Sequence, residues 1–195
     1  KQASTNALAM AHVMVPRVYG CDRPSALDPG SFSYPCIIKP DCGGRTTHTF
    51  LAKSADEAAS WLEQAPDIVF IVEEYIKPER GFLTRVEIVG DEPTLIVKRS
   101  IAENGLSAYR LGSTYELYED CSLEIREAAT HAAAALDFVF GSFDIIETRA
   151  GAYFIDANSV SNVSEDCTEL FHYDLMQAHA QEICLLSMKQ NGRSA

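Results

Sequence analysis

The sequence lacks the paired cysteines that would indicate a disulfide framework or a zinc site. No two of its six cysteines are spaced as CxxC, and its five histidines are equally dispersed. This usage is typical of a reducing compartment, so we expect a cytoplasmic protein without a metal site built on cysteine or histidine. The cysteines are Cys21, Cys36, Cys42, Cys121, Cys167 and Cys184.

Long apolar runs and an excess of positive charge are also missing. No run approaches the ~20 apolar residues that span a bilayer, so we expect no membrane partner. The net charge of −12 argues against a nucleic-acid partner, because a general binder needs a basic face to neutralise phosphates. A nucleotide remains compatible with this charge, since a few lysines in a cleft create a local positive field. With 195 residues, the chain has room for one good-sized core or two small lobes.

Residues 141–158 have the alternation of two strands joined by a tight turn at 149–151. Asp144 lies near the free end of the first strand. Asp156 and Asn158 lie near that of the second, and their spacing points both side chains to one face. Three oxygen ligands that converge in this way suit Mg²⁺, which keeps waters and binds phosphates. The alternative is that Asp156 and Asn158 merely end a strand and cap the following loop, and Asp-x-Asn alone favours this alternative.

Lys39 ends an apolar strand predicted at 34–40, and a glycine- and hydroxyl-rich segment follows it. The lysine fits two roles: a strand-end residue that reaches solvent, or an ammonium group that binds phosphate. The segment either makes a plain hairpin turn or folds over phosphates with its backbone N–H groups. It is not a Walker loop, since GxxxxGK[ST] is missing. Its small residues are Gly43, Gly44, Thr46 and Thr47.

Periodicity and capping signals divide the remaining chain. A Ser54–Glu57 capping box begins one helix. Two acids, Glu73 and Glu74, end a strongly apolar strand. Charged residues interrupt the next hairpin and either meet solvent or line a site; the alternation alone favours solvent. These residues are Arg85, Glu87, Lys98 and Arg99. We expect helices at 4–14, 55–64, 122–136 and 167–190, strands at 49–53, 68–76, 83–89 and 93–100, and a loop at 102–120.

The order of these motifs resembles the ATP-grasp superfamily, and within it the ribosomal-protein glutamate ligase and glutathione synthetase-like branch. That order is a lysine-ended strand, a glycine-rich loop, an acidic strand end, a basic hairpin and Asp…Asp-x-Asn. The resemblance runs over almost the whole chain. It implies an α+β fold in which two lobes with antiparallel sheets clasp a nucleotide. The implied parts are a small lobe with a lid loop at 15–75, a larger lobe with the metal site at 76–185, and a helix at 1–14 that packs on the larger lobe or on a missing N-terminal domain.

The resemblance also implies a role for each matching residue. Lys1, Lys39 and the lid residues Gly43, Gly44, Thr46 and Thr47 bind the nucleotide, with Lys39 and the lid at its phosphates. Glu73, Glu74, Tyr75 and Ile76 form the hinge that binds adenine. Arg85, Lys98 and Arg99 are the predicted catalytic residues, and Asp144, Asp156 and Asn158 are the predicted metal ligands.

The activity that the resemblance implies is an ATP- and Mg²⁺-dependent ligase, with Mn²⁺ as the alternative ion. Such a ligase converts a carboxylate into an acyl phosphate, which an amine then attacks. The expected partners are small-molecule or peptide carboxylates and amines, together with a missing N-terminal domain or a second copy of the chain.

Three departures from the family pattern keep two alternatives open. Asp156 replaces the usual glutamate, Leu83 stands where many members carry an acid for the ribose hydroxyls, and the loop after Lys39 lacks the common Gly-Ser-x-Gly form. One alternative is a small-molecule kinase similar to inositol-phosphate kinases, which share Ile-Asp-x-Asn. The other is a nucleotide-binding module that has lost catalysis.

Overall fold

The computed structural model describes residues 1–43, 46–102, 105–107, 112–159 and 165–191. These residues form two antiparallel sheets and five α-helices, which confirms the predicted α+β fold. None of the described helices combines the length and apolar character needed to cross a bilayer. The helices are α1 (Gln2–Met10), α2 (Ala55–Gln64), α3 (Leu123–Ala135), α4 (Glu165–Phe171) and α5 (Leu175–Asn191).

The first sheet has the strand order β1–β4–β2–β3, and all its neighbouring pairs are antiparallel. Helix α2 covers one face, while the alternating residues of β2 and β4 turn Lys39 and Glu73 to the other. The strands are β1 (Val18–Asp22), β2 (Cys36–Pro40), β3 (Phe50–Ala52) and β4 (Phe70–Glu74). The core under α2 contains Cys36, Ile38, Ala58, Leu62, Phe70 and Val72.

The second sheet has the order β7–β6–β5–β8–β9 and is antiparallel throughout. Helices α1 and α3 cover one of its faces, and the opposite face turns toward the first sheet. The strands are β5 (Phe82–Val89), β6 (Glu92–Ser100), β7 (Tyr115–Leu117), β8 (Phe140–Thr148) and β9 (Gly151–Asn158). The core under the helices contains Leu8, Val86, Ile88, Ile96, Ile125, Phe143, Ile145 and Phe154. The lobe boundaries at 15–75 and 76–185 stay a prediction.

The structure corrects the predicted C-terminal helix and the predicted long loop. Two helices stand in place of one at 167–190, because His172 adopts a left-handed conformation (φ 51°) and Asp174 caps α5 by accepting from the Gln177 N–H at 2.9 Å. The predicted loop at 102–120 contains β7, which pairs with β6. Three residues are too few for a period-2 pattern to stand out in the sequence.

The predicted cap of α2 is confirmed and gives a first test. The Ser54 hydroxyl accepts a hydrogen bond from the Glu57 N–H at 3.2 Å. Ser54→Ala should lower the free energy of unfolding by about 1 kcal/mol, because a first-turn N–H loses its acceptor. Urea denaturation followed by circular dichroism measures the change. Ser60→Ala is the matched control, since Ser60 is exposed within the same helix; an equal loss in both variants would contradict the capping role.

Candidate active site

A cavity of about 750 Å³ lies between the two sheets. Both sheets turn charged residues toward it from strands that are otherwise apolar. Helices α4 and α5 add Phe171 and Leu175. The first sheet lines the cavity with Ile37, Lys39, Glu73 and Glu74, and the second with Leu83, Arg85, Glu87, Leu95, Val97, Arg99, Asp144, Ile146, Ile155, Asp156 and Asn158.

Lys39 connects the two sheets across this cavity. Its ammonium group lies 2.7 Å from Glu73 Oε2 and donates to the Ile155 carbonyl of β9 at 2.6 Å. Lys39 and Glu73 lie on adjacent strands and turn to the same face. The lysine side chain is 11% exposed and that of Glu73 is 3% exposed. A buried ammonium group without a counter-ion is costly, and Glu73 supplies the neutralising charge.

A β-bulge in β9 provides the carbonyl that Lys39 binds. Asp144 pairs with Asp156 and Ile145 pairs with Phe154, so Ile155 is an extra residue between them. Bulges re-aim side chains and free backbone groups next to functional sites. Because of this one, Ile155 and Asp156 both line the cavity, although neighbours in a regular strand would point to opposite faces.

Asp144 lies buried between two arginines. Its Oδ1 accepts from Arg85 at 3.0 Å and its Oδ2 from Arg99 at 2.9 Å. Strand register produces the first contact, because Arg85 of β5 is paired directly with Asp144 of β8. Burial alone would raise the pKa of Asp144, but the Arg99 and Arg85 guanidinium groups outweigh burial and hold the pKa below its ordinary value.

Asp156 and Asn158 lie beside Asp144 on the cavity side of the hairpin, as the sequence predicts. Asp156 pairs with Asp144, and Asn158 with Ser142. Within the described residues, Asp156 Oδ1 is buried and has no hydrogen-bond partner, and Lys1 Nζ lies 4.0 Å from it. Burying a carboxylate oxygen without a hydrogen bond costs free energy, so this oxygen is suited to bind a cation.

The hinge residues bound the other end of the cavity. The Tyr75 N–H donates to the Pro35 carbonyl at 3.3 Å, and Glu74 Oε2 accepts from the Arg17 N–H at 3.4 Å. Ile76 lines the cavity, and within the described residues its backbone makes no hydrogen bond. Glu73 is committed to Lys39, so Glu74 is the hinge acid that is left for a ligand.

The predicted lid contributes to the cavity in its described part. Gly43, Thr46 and Thr47 line the cavity, and Gly43 also accepts a 2.6 Å hydrogen bond from Lys1 Nζ through its carbonyl. Gly43 has φ 102°, which only glycine adopts without strain. Gly44 lies outside the described residues.

Lys98 lies on the face of the sheet away from the cavity, which removes it from the predicted catalytic set. Its ammonium group lies 4.6 Å from the centre of the Tyr118 ring and 3.7 Å from Glu116 and Asp120. Lys98 and Arg99 are neighbours in one strand, so they project to opposite faces. The sequence shows that only one of them can face the site, but not which one.

Glu87 is a cavity residue to which the sequence alone assigns no specific role. It is 4% exposed and its Oε1 accepts from Arg85 Nε at 2.7 Å. Ser142 joins the same group by accepting from Arg85 Nη2 at 2.7 Å. The signal for Glu87 was its two-residue spacing from Arg85, which puts both on one face of β5.

Comparisons with known proteins identify the family of this chain. A sequence profile described as the RimK-like ATP-grasp domain matches residues 7–173. The chain belongs to this family. ATP use is what membership implies, and the predicted ATP-grasp resemblance is confirmed.

Relatives and solved structures extend this finding. The chain is 29% identical over 128 residues to a probable alpha-L-glutamate ligase of Xanthomonas oryzae pv. oryzae. The matched segment covers 64% of this chain and 43% of that protein. The chain therefore spans less than half of the length of this relative. A D-alanine–D-alanine ligase of Bacillus anthracis has the same fold, with TM-score 0.77 and 16% identity over 97% of this chain and 68% of that one. A RimK domain ATP-grasp protein of Sphaerobacter thermophilus superposes with a TM-score of 0.67 and 19% sequence identity. This match covers 87% of this chain and 62% of the other.

Proposed function

We propose that this ATP-grasp domain belongs to an ATP- and Mg²⁺-dependent ligase that activates a carboxylate as an acyl phosphate for attack by an amine. One observation carries the proposal: three buried cations face a cavity between the two sheets, together with Asp156 Oδ1, which accepts no hydrogen bond from the residues that the structure describes. Neutralising the charge of a transferred phosphoryl group is the main task of such a site. The cations are Lys39, Arg85 and Arg99.

The proposed reaction needs no side-chain nucleophile. A carboxylate oxygen of the acceptor attacks the γ-phosphorus of ATP, and the bond to the β–γ bridging oxygen breaks, so ADP leaves. The amine nitrogen then attacks the acyl carbon, an amide forms, and phosphate leaves with the proton that the amine releases. Positioning and electrostatic stabilisation of these substrates account for the rate.

Each part of the cavity fits one part of this substrate set. In this proposal the Ile76 backbone and Glu74 bind the adenine ring, and it packs on the apolar Leu83 and Ile146, which line the same cavity. Lys39, Lys1 and the lid lie where phosphates would bind. Arg85 and Arg99 would then stabilise the acyl phosphate.

The oxygen donors at the end of the β8–β9 hairpin fit a hard cation. Asp156 offers a buried oxygen that accepts no hydrogen bond among the described residues, and Asn158 offers an amide oxygen on the same face. Both oxygens of Asp144 accept from arginine, but each carboxylate oxygen has two lone pairs. Mg²⁺, when bound, would offset charge on the phosphate oxygens, and Mn²⁺ suits the same donors.

The proposal extends to the partners and location of the whole protein. We propose small-molecule or peptide carboxylates and amines as substrates. An N-terminal domain or a second copy of the chain would complete the acceptor site. The dispersed cysteines support a cytoplasmic location. Those at positions 21, 36, 42, 121 and 184 are free.

The test of the metal site is the Asp156→Ala variant, titrated calorimetrically with AMP-PNP with and without Mg²⁺. We expect Mg²⁺ to tighten binding by the wild type, and Asp156→Ala to weaken the Mg²⁺-supported binding by about tenfold, because a direct ligand is lost. Without Mg²⁺ the two proteins should bind alike.

Asp120→Ala is the matched control, since that carboxylate is 82% exposed and lies on the opposite face of the sheet. It should bind AMP-PNP as the wild type does. A wild type that does not bind AMP-PNP, or binds it equally with and without Mg²⁺, would contradict the proposal.

A further inference from the structure

Glu87 carries a buried carboxylate oxygen that the proposed chemistry does not use. One oxygen, Oε1, accepts from Arg85 Nε at 2.7 Å. The other, Oε2, is buried and has no hydrogen-bond partner within the described residues. Leaving a charged acceptor unsatisfied costs more than leaving a neutral one, so an oxygen in this state indicates a missing donor. Glu87 lines the cavity, so that donor can come from a ligand.

The order of side chains along β5 locates Glu87 within the cavity. Leu83, Arg85 and Glu87 follow one another on the cavity face at two-residue intervals. Leu83 lies at the start of β5, the strand that follows the hinge in the chain, and Glu87 is four residues farther along, roughly 13 Å in an extended strand. Arg85, between them, bonds to Asp144. Glu87 therefore lies on the far side of the proposed phosphate region from the hinge, where the acceptor substrates must bind.

Glu87 has apolar neighbours on its β6 side, whereas on its β8 side it is paired with Ser142. Leu95 is paired with it on β6, and Val97 follows on the same face. Phe171 packs with both of them, and Leu175 of α5 also lines the cavity. Arg85 already neutralises one charge, yet the free oxygen still requires a donor. An anionic ligand would be repelled there, whereas a cationic group with N–H donors would complete the carboxylate.

We propose that Glu87 is a specificity-determining residue that binds the ammonium group of an amine substrate with an apolar body. The ammonium group donates to Glu87 Oε2, and the apolar body packs on Leu95, Val97, Phe171 and Leu175. This inference rests on the proposed ligase function, because it assigns the end of the cavity beyond the phosphates to the amine.

The wild-type protein provides the first readout, by titration with phenethylammonium and its neutral isostere 2-phenylethanol, followed by NMR. We expect phenethylammonium to bind at least about tenfold more tightly, as a charge-assisted hydrogen bond in a buried site requires. Methylammonium, which lacks the apolar body, should bind more weakly than phenethylammonium. Equal binding of phenethylammonium and 2-phenylethanol would overturn the proposal.

Glu87→Gln provides the second readout. It keeps an acceptor for Arg85 Nε but removes the charge, so the preference for the ammonium probe should fall to less than about threefold while AMP-PNP binding changes little. Glu116→Gln is the matched control, because Glu116 is 77% exposed and pairs with Lys98 away from the cavity. If Glu87 only positioned Arg85, the variant would weaken AMP-PNP binding and keep the ammonium preference, which would overturn the proposal.

The two proposals fail in different ways. A wild type that does not bind AMP-PNP counts against the ligase function. The amine titrations are made without nucleotide, so they still decide whether Glu87 forms a cation site.

Discussion

Replacing Lys39 with methionine should weaken AMP-PNP binding in the presence of Mg²⁺ by roughly 30- to 150-fold, the equivalent of about 2 to 3 kcal/mol. The reason is the loss of a buried ammonium group at the proposed phosphate region, where low exposure makes a charge-assisted hydrogen bond strong. Isothermal titration calorimetry measures the change. The same substitution leaves Glu73 buried without its cation and should lower the free energy of unfolding by about 3 to 5 kcal/mol.

A double variant separates the binding effect from the stability effect. Lys39→Met with Glu73→Gln removes the uncompensated charge, so it should recover most of the stability and still bind AMP-PNP weakly. Lys98→Met is the matched lysine control, because Lys98 lies on the face of the second sheet that is turned away from the cavity. AMP-PNP binding by this variant should stay within about threefold of the wild type. Recovery of AMP-PNP binding in the double variant would show that Lys39 acts only through folding.

Asp144→Asn should lower the free energy of unfolding by about 3 to 5 kcal/mol, because it removes the shared counter-ion of two buried arginines. Urea denaturation at neutral pH measures the loss. Adding Arg99→Met should recover part of it, since Arg85 then keeps Glu87 as its counter-ion. No recovery in the double variant would contradict the role of Asp144 as the counter-ion of both arginines. Asp120→Asn, an exposed carboxylate on the opposite face, should change stability by less than about 0.5 kcal/mol.

Stability should also depend on pH through Asp144. Its pKa is lower in the folded protein than the ordinary value of 3.8. The folded state therefore keeps the carboxylate ionised where the unfolded state has begun to take up a proton. The stabilisation is full above the ordinary pKa and is lost as the pH falls below 3.8 through the folded pKa. The Asp144→Asn variant has no carboxylate to protonate at this position, so its free energy of unfolding should fall less steeply over the same acidic range. If the free energies of unfolding of the variant and the wild type fell in parallel with pH, the contribution of Asp144 would be contradicted.

Local rules were enough to predict much of the fold and several site residues. The Ser54 cap, the β8–β9 hairpin and the basic β5–β6 hairpin follow from spacing and turn residues that act within a few positions of the chain. Two predictions were wrong. The single helix at 167–190 overlooked Asp174, an N-cap residue type that lies directly before α5 and accepts from the Gln177 N–H. The loop at 102–120 contains the short strand β7, which needs β6 as its partner.

Spacing along the chain is enough to derive which side chains share a strand face and in which order the family motifs follow. Alternation and capping are short-range properties of the backbone, so they can be derived from spacing. Which face lines the site depends instead on how the helices pack against the sheet. Helices α1 and α3 cover the face that carries Lys98, and this leaves Arg99 to the cavity. The Lys39–Glu73 pair, the position of Asp144 between two arginines and the bulge at Ile155 depend on strands distant in sequence, because register and burial are set by packing.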